Sequence, residues 1–413
     1  WHENRDKYTL PLKRMYHDQV EVGAPPLKLG EDWLLVYSYI KNRWIGKPEF
    51  RIEAVILDHQ DPSRYLARLE KPILEPMVDY ESTGQVRGAI FPAGALIESD
   101  ELKIYYGAAD STINIVTAKI SDLKKNLRHH AHPLPRLIRA GEPIIKPKPD
   151  HPWEAKATFN PAAFDDGVKI HLIYRAMSFD NTSVLGHADS EDGLSISFRD
   201  PEPIYLPTVE AEQKKKPFAN SGIEDPRTTK IGDTIYMCYT AYDSVDPPRV
   251  AFTSIKADDF LNHRWNWKEP VLISKPGIDD KDACILPEKL DGRYVIFHRI
   301  GRNIVFDYSD SLDLDGQTVF EDTHQILVRE KLWDGERIGI CAPPIKTKDG
   351  WLLFYHGVSS ADHEYRVGAM LLDPKHPSIV IARTPYPLLE PEMMSERFGQ
   401  VNNVVFPCGV ILR

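Results

Sequence analysis

A short element recurs five times along the later two-thirds of the chain: an apolar or small residue, a proline, then a strand-like run and a turn. It reads TFNPAAF around Pro161, IEDPRTT around Pro226, CILPEKL around Pro287, CAPPIKT around Pro343 and VVFPCGV around Pro407. Successive prolines stand 65, 61, 56 and 64 residues apart. Turn pairs follow at Asp166-Gly167, Gly232-Asp233, Asp291-Gly292 and Asp349-Gly350, each leading into a second apolar strand. Helical periodicity is scarce, whereas segments such as WLLVY, KIHLIY, TIYMCYTAY, RYVIFHRI and WLLFYHGV have strand character. Units of this length, each holding enough short strands for a four-stranded blade, predict an all-β fold, a five-bladed β-propeller. In that architecture the first strand of each unit lines a central channel, so the proline motifs converge on one site.

The first part of the chain repeats the last. APPLKLGEDWLLVY from Ala24 echoes APPIKTKDGWLLFY from Ala342. RIEAVILD from Arg51 echoes RVGAMLLD from Arg366, PILEP from Pro72 echoes PLLEP from Pro387, and GQVRGAIFPAGALI from Gly84 echoes GQVNNVVFPCGVIL from Gly399. The last three pairs share an offset of 315 residues, the mark of a duplicated blade-like segment. The expected division is therefore a duplicated N-terminal segment, 1–130, and a catalytic five-bladed β-propeller, 131–413. The first copy runs on into LKIYYGAADSTINIVTAKI, which the second lacks. Either residues from about 85 onward close the ring and Pro407 begins a surplus blade, or the five later motifs form the ring and borrow strands from Leu102–Ile120. Blade-like strands outside a full ring leave edges that would suit a homo-oligomer.

Composition narrows the partners. With 51 basic and 61 acidic residues the formal charge is −10, which argues against nucleic acid. No apolar run reaches the roughly 18–20 residues that span a membrane. The opening WHENRDKYTL lacks the apolar core of a secretory leader. Cys238, Cys284, Cys341 and Cys408 are far apart in strand-like settings and read as reduced structural thiols of a cytoplasmic protein. No metal site and no organic cofactor is expected.

Polar residues crowd the strand ends where the motifs would converge. They are Asn160, Arg175, Glu224, Asp225, Arg227, Arg249, Lys281, Asp282, Arg299, His356 and Tyr365. Several cations converging in an acidic protein suggest an anion site for phosphate, sulfate or carboxylate. Within Glu224-Asp225-Pro226-Arg227, the proline biases Asp225 toward extended backbone, which would place Asp225 and Arg227 on one face and Glu224 on the other. An acid held beside an arginine is a candidate general acid. Trp153, Tyr174, Tyr242, Tyr355 and Tyr365 offer stacking faces for a sugar.

FNPAAF, YRA, GIEDPR, KDACILPEK, FHR, YHGV, YRVGAMLLD, PLLEPE and VVFPCG together resemble the signature set of glycoside hydrolase family 130, the β-mannoside phosphorylases and β-mannosidases. The resemblance runs from about Gly141 to Arg413, and Ala24–Ile120 resembles the family's C-terminal third. It implies a five-bladed propeller and inverting, reversible attack of inorganic phosphate on a β-mannoside, a manno-oligosaccharide or a mannosyl-glucose or mannosyl-N-acetylglucosamine, giving α-mannose 1-phosphate. It implies Asp225 as general acid, its proton passing through a sugar hydroxyl, and Arg249, Lys281, Arg299, His356 and Tyr365 as the phosphate cradle. Asn160, Arg175, Glu224, Arg227, Asp282 and Asp110 would contact the substrate. Phosphate would then be the nucleophile, so the second carboxylate usual in glycosidases is not needed. The partners so implied are a small carbohydrate and phosphate. Two other readings fit the residues: an inverting β-mannosidase with Glu224 or Glu288 as base, and a non-catalytic sugar-binding propeller.

Overall fold

The computed structural model describes residues 10, 12, 17–44, 46–63, 65–69, 71–129 (backbone alone at 126–129), 137–317, 320, 324–330, 332–360, 362–384 and 387–413. Most of the opening stretch read for a leader lies outside the described residues. The chain divides into two compact units, Trp1–Gly141 and Glu142–Arg413. Both are built from antiparallel strands, with short helices such as Asp79–Ser82, Ala257–Leu261 and Met394–Arg397. No helix among the described residues is long and apolar enough to cross a membrane.

The larger unit is a succession of four antiparallel meanders. The first runs through Ala157–Asp165, Ile170–Met177, Thr182–Ser190 and Ile196–Arg199. The second runs through Ser221–Ile231, Thr234–Tyr242, Arg249–Lys256 and Val271–Leu272. Asp280–Ile285, Tyr294–Ile300, Asn303–Ser309 and His324–Ile326 make the third. Arg337–Ile340 and Ile345–Thr347 both pair with Gly350–Val358, followed by Tyr365–Leu372 and Val380–Arg383, in the fourth. Neighbouring meanders pack through apolar faces. Ile173 and Leu185 of the first meet Ile235, Met237 and Ala251 of the second, and Phe252 of the second shares a core with Ile285 and Ile296 of the third. The C-terminal segment runs back from the fourth meander to the first. Val404 bridges Tyr365, and the Arg413 guanidinium donates to Asp165 at 2.7 Å.

The first strand of each of the first three meanders is broken by a bulge. Register shifts fall between Phe159 and Ala162, Glu224 and Arg227, and Lys281 and Cys284. The residues inside these gaps, Asn160, Asp225 and Asp282, have φ of 49°, 53° and 60°. Asn and Asp are the non-glycine residues that tolerate this range. Pro161 and Pro226 follow the first two, where an interrupted ladder loses nothing from a missing N–H. The expected extended backbone at Asp225 is therefore overturned: the bulge outweighs the proline's local bias and cancels the alternation of faces.

The smaller unit reproduces the fourth meander in Leu27–Leu29, Asp32–Lys41, Glu49–Leu57 and Tyr65–Leu69. It then adds the sheet Ile90–Glu98, Glu101–Ala108 and Thr112–Lys119. A recurrent staple sits in the loop after a meander. Glu81 accepts the backbone N–H groups of Met77 and Val78 and the Tyr106 hydroxyl. Glu212 does the same with Thr208, Val209 and Tyr239, and Glu396 with the N–H groups of Glu392 and Met393.

The first two meanders meet edge to edge through a two-residue parallel bridge, Thr182 with Ser221 and Ser183 with Gly222. Gly222 has φ of 100°, and a β-carbon there would stand 2.2 Å from the Ser183 carbonyl oxygen. Gly222→Ala is expected to open this bridge and cost about 2 kcal/mol or more, read as a lower urea midpoint.

Candidate active site

The three bulges turn polar side chains toward one another. The Asn160 amide donates to Asp225 Oδ1 at 2.7 Å, and Arg175 Nη1 donates to the same oxygen at 3.1 Å. Arg175 Nη2 reaches Glu224 Oε1 at 2.6 Å, its Nε donates to Ser183 Oγ at 2.9 Å, and its guanidinium lies over the Phe159 ring. Glu224 and Asp225 thus share one arginine, where alternation had placed them on opposite faces. No hydrogen bond among the described residues reaches Asp225 Oδ2. Burial pushes the Glu224 carboxyl up, with Asp225 adding to the effect and Arg175 and Lys281 opposing it.

Arg227 is fully buried and works as a staple. Nη1 donates to the Asp225 carbonyl at 2.8 Å, Nη2 to the Ile340 carbonyl at 2.7 Å, and Nε to the Cys341 carbonyl at 3.1 Å. Its Nη2 also meets Asp282 Oδ1 at 3.3 Å. Asp282 accepts from Arg299 Nε at 2.7 Å. Burial opposes the charge on Asp282, but Arg299 and Arg227 hold its carboxyl well below the usual carboxylate range. Arg227 and Asp282 thus form a frame that pins the second, third and fourth meanders together.

His356 lies behind this frame, its Nε2 3.6 Å from Asp282 Oδ2. Phe406 and Tyr365 flank the ring, with centroids at 4.4 and 5.7 Å. Gly339 makes room for it, since a β-carbon there would meet His356 Cε1 at 2.3 Å. Burial pushes the imidazole down to about 3 despite Asp282, so near neutral pH it is an uncharged hydrogen-bonding group rather than a cation.

Arg337, not singled out from the sequence, extends this group: its guanidinium stands 5.3 Å over the Tyr365 ring. The signal was faint, because RIG carries no proline and precedes the CAPP motif. Arg249 starts its strand at the end of the sheet that carries Glu224, and its Nη2 donates to the Ser274 carbonyl. Lys281 is part-exposed, with Asp279 3.9 Å away. Three buried nitrogens in this set, Arg249 Nε, Arg337 Nε and His356 Nδ1, have no hydrogen-bond partner. Buried donors are seldom left unpaired, which makes these three candidate contacts for a bound anion.

Asp110 is exposed in a turn of the smaller unit, with φ of 50°. Glu288 is half exposed and pairs with Lys346. Tyr174 and Tyr355 are buried core residues, their hydroxyls bonded to Glu154 and Asp334 at 2.8 Å, so they offer no stacking face. All four cysteines are free and buried. In the smaller unit Ser38 replaces His356 beside Tyr37, the counterpart of Tyr355.

A carboxylate with one oxygen fixed and one without a bond, next to a set of basic donors, defines a site for an anion and a polyhydroxylated substrate. Comparison with known proteins agrees. The family model for glycoside hydrolase family 130, described as beta-1,4-mannooligosaccharide phosphorylase, matches residues 1–129 and again 125–413. The chain belongs to this family. A Thermoanaerobacter beta-1,2-mannobiose phosphorylase is 39% identical over 67% of this chain and 90% of its own length. A 1,2-beta-oligomannan phosphorylase of the same genus is 37% identical over 65% and 86%. A solved Bacteroides ovatus structure described as a glycoside hydrolase aligns over 68% of this chain and 90% of its own, with a TM-score of 0.55 and 26% identity.

The buried imidazole makes stability pH-dependent. In the unfolded chain His356 takes up a proton near 6.5, in the folded chain only near about 3. The unfolded state binds more protons between those values, so stability falls as pH drops through the window. Urea unfolding at a series of pH values should show this slope in the wild type and a shallower one in His356→Gln.

Proposed function

We propose that the chain is a β-mannoside phosphorylase that transfers a mannosyl group to inorganic phosphate with inversion, giving α-mannose 1-phosphate. The observation that carries this reading is the set of buried, unpaired nitrogens on Arg249, Arg337 and His356, alongside Lys281, Arg299 and Tyr365. Guanidinium forks and a neutral imidazole suit a phosphate, held in line for attack on the anomeric carbon. Asp225 is the general acid. Asn160 and Arg175 fix its Oδ1 and leave Oδ2 to deliver a proton toward the leaving oxygen, through a hydroxyl of the sugar. The proton ends on the leaving sugar, the glycosidic bond breaks, and a phosphate oxygen forms the new bond. Tyr365 and the part-buried Tyr242 are the aromatic residues we assign to border the sugar.

We read the four meanders, with the C-terminal segment that runs from Tyr365 back to Asp165, as blades of a five-bladed propeller. The enzyme is taken as cytoplasmic, using phosphate as co-substrate and no organic cofactor. The names of its relatives favour β-1,2-linked mannosides as the first substrates to try. A hydrolase with Glu224 as base is the second reading, favoured by its carboxylate sharing Arg175 with Asp225; Glu288, tied to a surface lysine, is a poor base.

Release of mannose 1-phosphate from β-1,2-mannobiose, assayed with and without phosphate, tests the proposal. Product should require phosphate, and Asp225→Asn should lower turnover on the order of 10²–10⁴-fold. Arg337→Ala should raise the KM for phosphate more than that for the mannoside. Free mannose formed at equal rates without phosphate would favour the hydrolase.

A further inference from the structure

The first meander carries a second cluster of chemistry-bearing side chains. His171 and Asp189 face each other across the antiparallel pair of Ile170–Met177 with Thr182–Ser190, and His187 is two residues before Asp189 on the same face. His171 Nδ1 lies 2.9 Å from Asp189 Oδ1, His187 Nε2 lies 3.1 Å from that oxygen, and the two nitrogens are 3.2 Å apart. All three residues are at least 97% buried. The cluster is at the far end of these strands from Arg175 and Ser183, and the mechanism above makes no use of it.

We propose that His171 Nδ1, His187 Nε2 and Asp189 Oδ1 form a three-ligand site for a divalent cation of the zinc class. Three observations converge on it. The first is spacing: ligands about 2.0–2.1 Å from a tetrahedral zinc stand roughly 3.3 Å from one another, close to the near-equilateral triangle seen here. The second is the outer contacts. His171 Nε2 meets Asp166 Oδ2 at 3.2 Å, and His187 Nδ1 meets Asp200 Oδ2 at 2.7 Å. Each imidazole thus gives its outward nitrogen to a carboxylate and points the other inward, the arrangement that fixes tautomer and ring angle in metal-bound histidines. The third is convergence: both inward-facing ring nitrogens meet at one buried oxygen, Asp189 Oδ1, at 2.9 and 3.1 Å.

Charge and packing fit as well. Asp166, Asp189 and Asp200 surround the two imidazoles, with Lys169 Nζ 3.1 Å from Asp189 Oδ2 and His263 Nδ1 3.3 Å from Asp200 Oδ2. A dication that takes the place of protons on the imidazoles would keep these carboxylates neutralised. Phe164 stacks on His171 at 4.8 Å, and Phe260 stands edge-on to both rings at 5.4 and 5.3 Å, which holds the donors in place. Part-exposed His263, 4.0 Å from Asp189 Oδ2, and Lys169 form the rim by which an ion would enter. A cation here would tie two adjacent strands together and fold-stabilise the meander that supplies Asn160 and Arg175.

Protein dialysed against EDTA and titrated with Co²⁺ provides the test, because tetrahedral Co²⁺ gives strong visible bands. One equivalent is expected to bind with that signature and to raise the melting temperature. Both effects should be lost in His171→Gln and in Asp189→Asn. Lys169→Met, which removes the competing ammonium without touching a ligand, should bind Co²⁺ at least several-fold more tightly and keep wild-type phosphorolysis. It also keeps the proposal testable should the ligand variants fail to fold. Absence of stoichiometric binding, octahedral spectra alone, binding undiminished in a folded ligand variant, or an unchanged affinity in Lys169→Met would each overturn the site.

Discussion

The candidate site rests on a backbone constraint repeated three times: a bulge with positive φ at Asn160, Asp225 and Asp282. In a regular strand these side chains would alternate between the two faces of their sheets. The bulge re-aims each one and ends pairing locally, and its residue type follows from its geometry, since Asn and Asp tolerate that backbone while being polar. The strain is held by what surrounds it. Asn160 is bonded to Asp225, Asp225 to Arg175, and the carbonyl of Asp225 to Arg227.

Arg227 and Asp282 convert these local kinks into one framework. A fully buried guanidinium that binds carbonyls of two meanders and a carboxylate of a third is costly to desolvate, and it holds only because its hydrogen bonds are made. Arg299 completes the neutralisation of Asp282. Around this paired interior sit groups that are not paired, the nitrogens of Arg249, Arg337 and His356. The contrast separates donors already used within the fold from donors that are not, a distinction that charge alone does not make.

Much of this was legible in the chain. The proline period marked the first strands of successive meanders, and the 315-residue offset marked the smaller unit's copy of the fourth. Asn160, Glu224 and Asp225 were found because they flank those prolines, and Arg175 because it stands near the end of the strand that follows the first of them. The division of labour was hidden, because it depends on partners far away in sequence: Arg227 is defined by Ile340 and Cys341, and His356 by burial against Phe406. The local proline rule misplaced Glu224 because a bulge is set by tertiary packing. Arg337 escaped notice because it enters the group through the Tyr365 ring and not through a motif. The histidines of the first meander were missed because their pairing is cross-strand, and IHL and HAD are 16 residues apart.

The account stands on the claim that the unpaired nitrogens are an oxyanion's donors. A crystal structure of the enzyme with phosphate and a β-mannoside, using the Asp225→Asn variant to prevent turnover, tests it most directly. Phosphate hydrogen-bonded to Arg249, Arg337 and His356, with an oxygen facing the anomeric carbon and the mutated side chain on the far side of the glycosidic oxygen, is the predicted result. A mannoside bound with these nitrogens satisfied by the protein and no anion among them would contradict it.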